Sequence, residues 1–460
     1  MFSKRLPTVH EENRITRALA ARARPHLDLT VSNPTAVALR SGGVDLFADV
    51  EGDAGLLAPL ADPRGLVYEP NPRGLRRARL AVSNWYAAVH GVLAPPERLV
   101  LTASTSEAYG WLFKVLADPG DAVLVPAPSY PLLDALAGLE SVTLARYPLA
   151  AEDGFRVHAS AVAHEVERLA AAGVRTAAVV VVNPNNPTGS SIGEAELDAL
   201  LALAAEKGFA VISDEVFVDY RYSDRPDDVA VAAVRSEALV FSLGGLSKSA
   251  ALPQLKLGWI LANGPPAQVE DALTRLEWVA DAYLSVGTPV QLALPRLLEH
   301  GRRAVEAIWA RVLKNERALR TAFPAGGAVT VAPVAAGWAA CLRVPAVRTE
   351  EEIVLDLLET HDVLVHPGYF YEFPSEAWLV LSLLPPPDVF AEGAARLARA
   401  LRLGASTAAT ARGARSGTSS RGPRACASGG RASSPRAGKP RPARPSRARR
   451  PSRGSRAPAG

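Results

Sequence analysis

Gly244-Gly245-Leu246-Ser247-Lys248-Ser249-Ala250-Ala251-Leu252-Pro253 follows the apolar run Leu239-Val240-Phe241-Ser242-Leu243 and sets a lysine in a Ser/Gly-rich turn at the end of a strand-like segment. Most lysines are solvated surface charges, so the lysine alone means little. Upstream, however, lie an Asn-Pro loop, Asn183-Pro184-Asn185-Asn186-Pro187-Thr188-Gly189, and an acidic strand end at Asp214-Glu215. Together they point to a lysine held in a pocket to form a Schiff base.

Outward from that stretch, short apolar runs alternate with helical pieces between residues 98 and 262. Arg98-Leu99-Val100-Leu101-Thr102 reads as a strand and leads into a helix through Trp111-Leu112-Phe113. Asp118-Pro119-Gly120-Asp121 is a turn, and Ala122-Val123-Leu124-Val125-Pro126 a second strand. The uninterrupted run from Ala177 to Val182 is of buried-strand type, Glu194 to Lys207 has helical periodicity, and Phe209 to Ser213 and Leu257 to Leu261 are further strands. Such alternation implies right-handed crossovers and a large, mostly parallel α/β sheet. Beyond residue 265 a long helical stretch passes Trp278, breaks near Gly287-Thr288-Pro289 and resumes, and residues 330–400 suit a smaller α+β domain. The expected order is an N-terminal segment (1–45) joining the small domain, a large domain (46–280), a small C-terminal domain (281–403) and a loose tail (404–460).

Composition bounds the rest. At 460 residues, 48% apolar and 21% charged, the chain is ordinary globular material and long enough for two domains. Cys341 and Cys426 have no metal-ligand spacing, so no disulfide framework and no metal site are expected. The start, MFSKRLPTVHEENR, has no apolar leader core, and no run nears eighteen apolar residues, which fits a cytoplasmic protein without membrane contact. The net charge of +4 hides a division. From Ala405 on there are 13 Arg and one Lys with no acidic residue, leaving 37 basic against 47 acidic residues before it. Lacking any Val, Ile, Leu, Phe, Tyr, Trp or Met, that tail cannot form a core and is expected to be disordered. It could bind anionic surfaces loosely, but it has no aromatic residue to stack on bases, so nucleic acid is not an expected partner. Its vocabulary is also that of a shifted reading frame in GC-rich DNA.

The polar residues of interest fall just after strands: Ser104-Thr105-Ser106, Tyr130, Asn186, Asp214 and Lys248. Ligands of open α/β sheets bind at the carboxyl ends of strands, so these five positions converge on one rim. Each has an ordinary alternative, such as a helix cap for Ser104 or a turn for Asn186. Their coincidence argues for a site.

From about Asp28 to Leu401 the chain resembles the fold-type I pyridoxal-phosphate aminotransferases of class I/II, through Asn186-Pro187-Thr188-Gly189, Asp214-Glu215 and Ser247-Lys248. The resemblance implies that Lys248 carries pyridoxal 5′-phosphate and shuttles the substrate proton, while Asp214 faces the pyridine nitrogen and makes the ring an electron sink. Asn186 would donate to the phenolic oxygen, with Pro187 in a cis bond fixing the loop, and Tyr130 would stack on the ring. Ser104, Thr105 and Ser106 would cradle the phosphate, and Ser247 would be a further cofactor-binding residue. Lys256 falls where the family usually has a phosphate-binding Arg, and Tyr68, before Asn71-Pro72-Arg73-Gly74, resembles a tyrosine that reaches the other subunit's phosphate in a homodimer.

Three positions depart from the pattern. Phe217 stands where many relatives have a tyrosine, and Gly245 replaces a frequent serine. Most consequentially, Trp378-Leu379-Val380-Leu381-Ser382 carries Val380 where relatives have the Arg that clamps a substrate α-carboxylate. Either another cation substitutes, with Arg343 and Arg40 as candidates, or the substrate lacks that carboxylate. The expected activity is transfer of an amino group between an amino acid or amine and a 2-oxo acid. The alternatives are a carbon–sulfur lyase or decarboxylase on the same scaffold, or a cofactor-binding regulator; the segment before Asp28 is too short for a DNA-reading domain.

Overall fold

The computed structural model describes residues 12–38, 61–222 and 228–416, with Ser3 and Arg5. After the helix Arg14–Ala20 the chain forms the short strand β1 (Leu27–Asp28). Seven strands then build one sheet: β2 (Leu99–Thr102), β3 (Ala122–Ala127), β4 (Thr143–Pro148), β5 (Thr176–Val182), β6 (Ala210–Asp214), β7 (Val240–Gly245) and β8 (Gly258–Asn263). Their order is β2-β8-β7-β6-β5-β3-β4, and every pairing is parallel except those of β8.

The strands that read as apolar runs are those buried on both faces. All seven residues of β5 are buried. Val179 and Val181 pack into the layer that holds Leu200 and Leu297, whereas Val180 and Val182 face Leu112 and Leu276. Each such valine contributes roughly 1.5–3 kcal/mol by leaving water. β4 lies at the sheet edge with alternating exposure, and so lacks the apolar continuity that marks its neighbours in the sequence. The crossover helix Glu194–Lys207 keeps the expected bounds. Glu196 folds back to the Gly193 N–H at 2.8 Å, and Gly208 takes φ 76° after the last turn.

Two long helices, Pro266–Tyr283 and Thr288–Ala322, lead to a second, antiparallel sheet. Its strands are β9 (Thr330–Val331), β10 (Ala339–Arg343), β12 (His366–Pro367) and β13 (Trp378–Ser382), in the order β12-β13-β10-β9. β11 (Val363–Leu364) pairs with β1 in parallel. Ile15, Leu29 and Val37 share the core of this part with Leu379 and Leu381. The final helix runs Pro387–Ser416, past the boundary at 403 suggested by composition. The sequence boundary at 45 and the tail beyond Ser416 fall outside the described residues. No helix among the described residues is long and apolar enough to cross a membrane.

Candidate active site

Since β2 is antiparallel to β8, and β8 to β7, strands β2, β3, β5, β6 and β7 all point the same way. Ser104, Tyr130, Asn186, Asp214 and Lys248 therefore leave the sheet on one rim.

Lys248 lies in the single turn Leu246–Ser249 that continues β7. Its Nζ stands 5.9 Å from the ring centre of Phe217 and 5.8 Å from that of Trp338. The Lys248 carbonyl accepts the Tyr220 hydroxyl at 2.9 Å, which anchors the turn. Burial pushes the amine's pKa below the ordinary lysine value, and the charge of Asp214 opposes this. A lysine held so yields its free amine more readily than one in water.

Asp214 ends β6, opposite Val182 and Leu243. One carboxylate oxygen accepts the Tyr109 hydroxyl at 3.0 Å, the other the Val216 N–H at 3.2 Å. Burial raises its pKa, while those two hydrogen bonds and Lys248 favour the anion. Glu215 has a separate environment. It accepts Ser242 Oγ and the Ala232 N–H, both at 2.7 Å, and burial pushes its pKa up to about 8.

Asn186 is partly buried, and the peptide bonds before Pro184 and Pro187 are both cis. Asn185 holds this loop by donating to the Pro128 carbonyl at 3.1 Å and to Thr188 Oγ1 at 2.8 Å. Ser104 caps the helix Thr105–Leu116, its Oγ accepting the Glu107 N–H at 3.2 Å, so Thr105 and Ser106 occupy the first turn with its unpaired N–H groups. Gly258 keeps that end open, since a Cβ there would lie 3.1 Å from the Ser104 carbonyl carbon. Ser247 is partly buried beside Lys248.

Other expected residues are less enclosed. Tyr130 is 48% exposed and Tyr68 81% exposed, and Lys256 is exposed in a left-handed turn at φ 52°. Tyr68 shares a surface cavity with Trp111 and Leu284. Arg343 has its guanidinium 5.6 Å from the Trp378 ring centre and 3.4 Å from Glu152, so it is already engaged. Arg40 lies outside the described residues. Val380 is 2% exposed in mid-strand, opposite Cys341 on β10 and His366 on β12.

Four residues with a place here carry no motif: Tyr109, Trp338, His366 and Tyr371. Tyr109 follows Thr105 by four residues and so shares its helix face, a period readable in the sequence. His366 comes from β12, Trp338 directly precedes β10 and Tyr371 lies in the turn Gly368–Tyr371, so only the packing of the second sheet and its turns brings them in. Among the described residues no cluster of three or more His, Cys, Asp or Glu could hold a metal. A buried carboxylate, a desolvated amine, a helix N-terminus and a glycine-cleared cradle instead fit a planar, phosphorylated aldehyde such as pyridoxal phosphate.

Residues 60–397 match the family model described as aminotransferase class I and II. The chain is 29% identical over 268 residues to the S-alkyl-thiohydroximate lyase of Arabidopsis thaliana, a match covering 58% of this chain and 56% of that protein. It is 27% identical over 337 residues to the glutamate-pyruvate aminotransferase of Haemophilus influenzae, covering 72% of this chain and 81% of that one. In fold it is similar to an aminotransferase from Escherichia coli, with a TM-score of 0.73 at 22% identity, over 87% of this chain and 98% of the other.

Proposed function

The chain belongs to the aminotransferase class I and II family, and on that premise we propose that it is a pyridoxal-phosphate enzyme moving an amino group between an amino acid or amine and a 2-oxo acid. One observation carries the reading. The Lys248 amine stands beside the Phe217 and Trp338 rings, and its charge is coupled to the buried carboxylate of Asp214 on the adjacent strand.

When bound, the cofactor supplies an electron sink for charge developing at the substrate's reacting carbon. The chain's residues do the rest. Asp214, held by Tyr109 and the Val216 N–H, keeps a negative charge for the ring nitrogen. Lys248 holds the cofactor and then moves a proton at the reacting carbon, a task its lowered pKa suits. Ser104, Thr105, Ser106 and Ser247 bind the phosphate, with Lys256 adding charge. Asn186 and Tyr130 orient the ring. Phe217 offers no hydroxyl to the phenolic oxygen and instead keeps water from the amine.

Leu66, Val67 and Tyr68, with Trp278 and Tyr283, leave apolar surface uncovered, which supports a homodimer that places Tyr68 at the second subunit's site. The lyase likeness and Val380 favour a second reading, elimination on the same scaffold.

Visible absorbance tests the first claim. The purified protein should show the band of a lysine-bound cofactor, and Lys248→Ala should lose it; a wild type that takes up no added cofactor overturns the reading. Conversion of that cofactor to its amine form by an amino donor alone separates transfer from elimination.

A further inference from the structure

The mid-point of β13 is where the second sheet turns its chemistry toward the rim. Val380 is flanked across the strands by Cys341 on one side and His366 on the other. Cys341 Sγ lies 3.5 Å from the Pro187 carbonyl, so this face of the sheet abuts the Asn186–Pro187 loop. Tyr371, in the turn Gly368–Tyr371, places its hydroxyl 3.0 Å from His366 Nδ1, and its carbonyl accepts the Ser129 N–H at 2.9 Å beside Tyr130. The hydroxyl also feels the electrostatic influence of Cys341 and Tyr130. These contacts bring His366 and Tyr371 to the part of the site bounded by Val380, Cys341, Pro187 and Tyr130.

The pair has a particular hydrogen-bonding character. If Tyr371 donates to Nδ1, the ring keeps an Nε2 donor and the tyrosine keeps acceptor capacity. In the other tautomer Nδ1 donates, and the tyrosine keeps its proton while Nε2 accepts. Either way one donor and one acceptor remain, and the pair is uncharged. Burial lowers the His366 pKa, with Asp28 opposing, and raises those of Tyr371 and Cys341, so all three are neutral near pH 7. A carboxylate docked here would meet no charge partner in them. A hydroxyl or carboxamide, which both gives and accepts, matches what is offered.

We propose that the substrate end facing β13 is a neutral group that both donates and accepts a hydrogen bond, a hydroxyl or carboxamide, and that the His366–Tyr371 pair recognises it. This rests on the cofactor-dependent reading above and narrows its amino donor to amino alcohols or amino amides. Glu350 is a positioning residue for the arrangement. Its buried carboxylate accepts the Tyr369 N–H at 2.7 Å and the Trp378 N–H at 2.8 Å, tying the turn that carries Tyr371 to the strand that carries Val380.

The test compares L-leucinol, L-leucinamide and L-leucine on the pyridoxal-phosphate-loaded protein without an acceptor, with dissociation constants read from tryptophan fluorescence. The wild type should bind the alcohol and the amide at least about tenfold tighter than the acid. Tyr371→Phe and His366→Ala should each remove most of that preference while retaining the visible cofactor band. Val380→Arg should reverse the preference. A wild type that prefers leucine overturns the proposal, and if Arg40→Ala then abolishes that preference, Arg40 is the clamp. An unchanged preference in both pair variants overturns it equally. Absence of the cofactor band in the wild type sinks the broader reading instead, so the two failures are distinguishable.

Discussion

The hydroxyl of Tyr109, on the helix that follows β2, donates to the carboxylate of Asp214, at the end of β6, over 3.0 Å. Neither residue is close to the other in the chain, and the bond crosses from one face of the sheet to its rim. It gives a buried carboxylate a fixed partner, so the chain itself sets the geometry of Asp214.

Tyr109→Phe removes that partner from a buried carboxylate, which costs about 1–3 kcal/mol where nothing replaces it. The expected result is a lower melting temperature and weaker retention of pyridoxal phosphate, measured by dialysis and absorbance. Asp214→Asn removes the charge itself and should lower kcat/KM at least about a hundredfold. Equal losses in the two variants would show that the hydrogen bond, not the charge, is what matters.

Gly258→Ala places a methyl group 3.1 Å from the Ser104 carbonyl carbon and a similar distance from the Gly244 carbonyl oxygen. The first turn of the helix Thr105–Leu116 must then shift. Affinity for the cofactor should fall by about tenfold or more, near 1.4 kcal/mol. Inorganic phosphate, as a competitor against cofactor loading, should lose potency in parallel; if it does not, the cradle lies elsewhere.

Glu215 makes stability depend on pH. Its carboxyl stays protonated in the folded chain up to about 8, whereas in the unfolded chain it ionises near 4.5. Between those values the folded state binds the extra proton, so its contribution is complete below pH 4.5 and is lost as pH rises through 8. Melting temperature should decline across that window, and Glu215→Gln should flatten the decline. A melting curve that rises from pH 5 to 8 and is indifferent to Glu215→Gln would contradict this assignment.

Trp278 is 78% exposed and Tyr283 55% exposed on the helix Pro266–Tyr283. In the proposed homodimer these would be covered surface, and Trp278→Asp should then shift the protein toward monomer in sedimentation experiments. If Tyr68 serves the second subunit's site, the same variant should also weaken cofactor retention. A wild type that sediments as a monomer at micromolar concentration would exclude the shared site.

Legibility in the sequence followed burial on both faces. β5 and the strands beside it announced themselves because nothing polar interrupts them, and the helix Glu194–Lys207 because Gly208 stops it. β4, half exposed at the edge, has no such mark. The rim positions from Ser104 to Lys248 were readable because each directly follows a strand. His366 and Tyr371 were not, since their neighbours arise from the register of β12 on β13 and from a turn held by Glu350, neither of which has a local signature. Val380 could be picked out as an exception, but what surrounds it could not.

The main-chain bond from the Ser129 N–H to the Tyr371 carbonyl acts as a latch. It joins the loop that presents one aromatic ring to the turn that presents another, across the two sheets. Prising the sheets apart would break it, and so would loosen the ring of Tyr130 and the hydroxyl of Tyr371 together. With Tyr130 on the cofactor and Tyr371 on the substrate, as proposed, grip on the one and choice of the other would be mechanically yoked. A mutation that relaxes one should blur the other, even when it touches neither ligand.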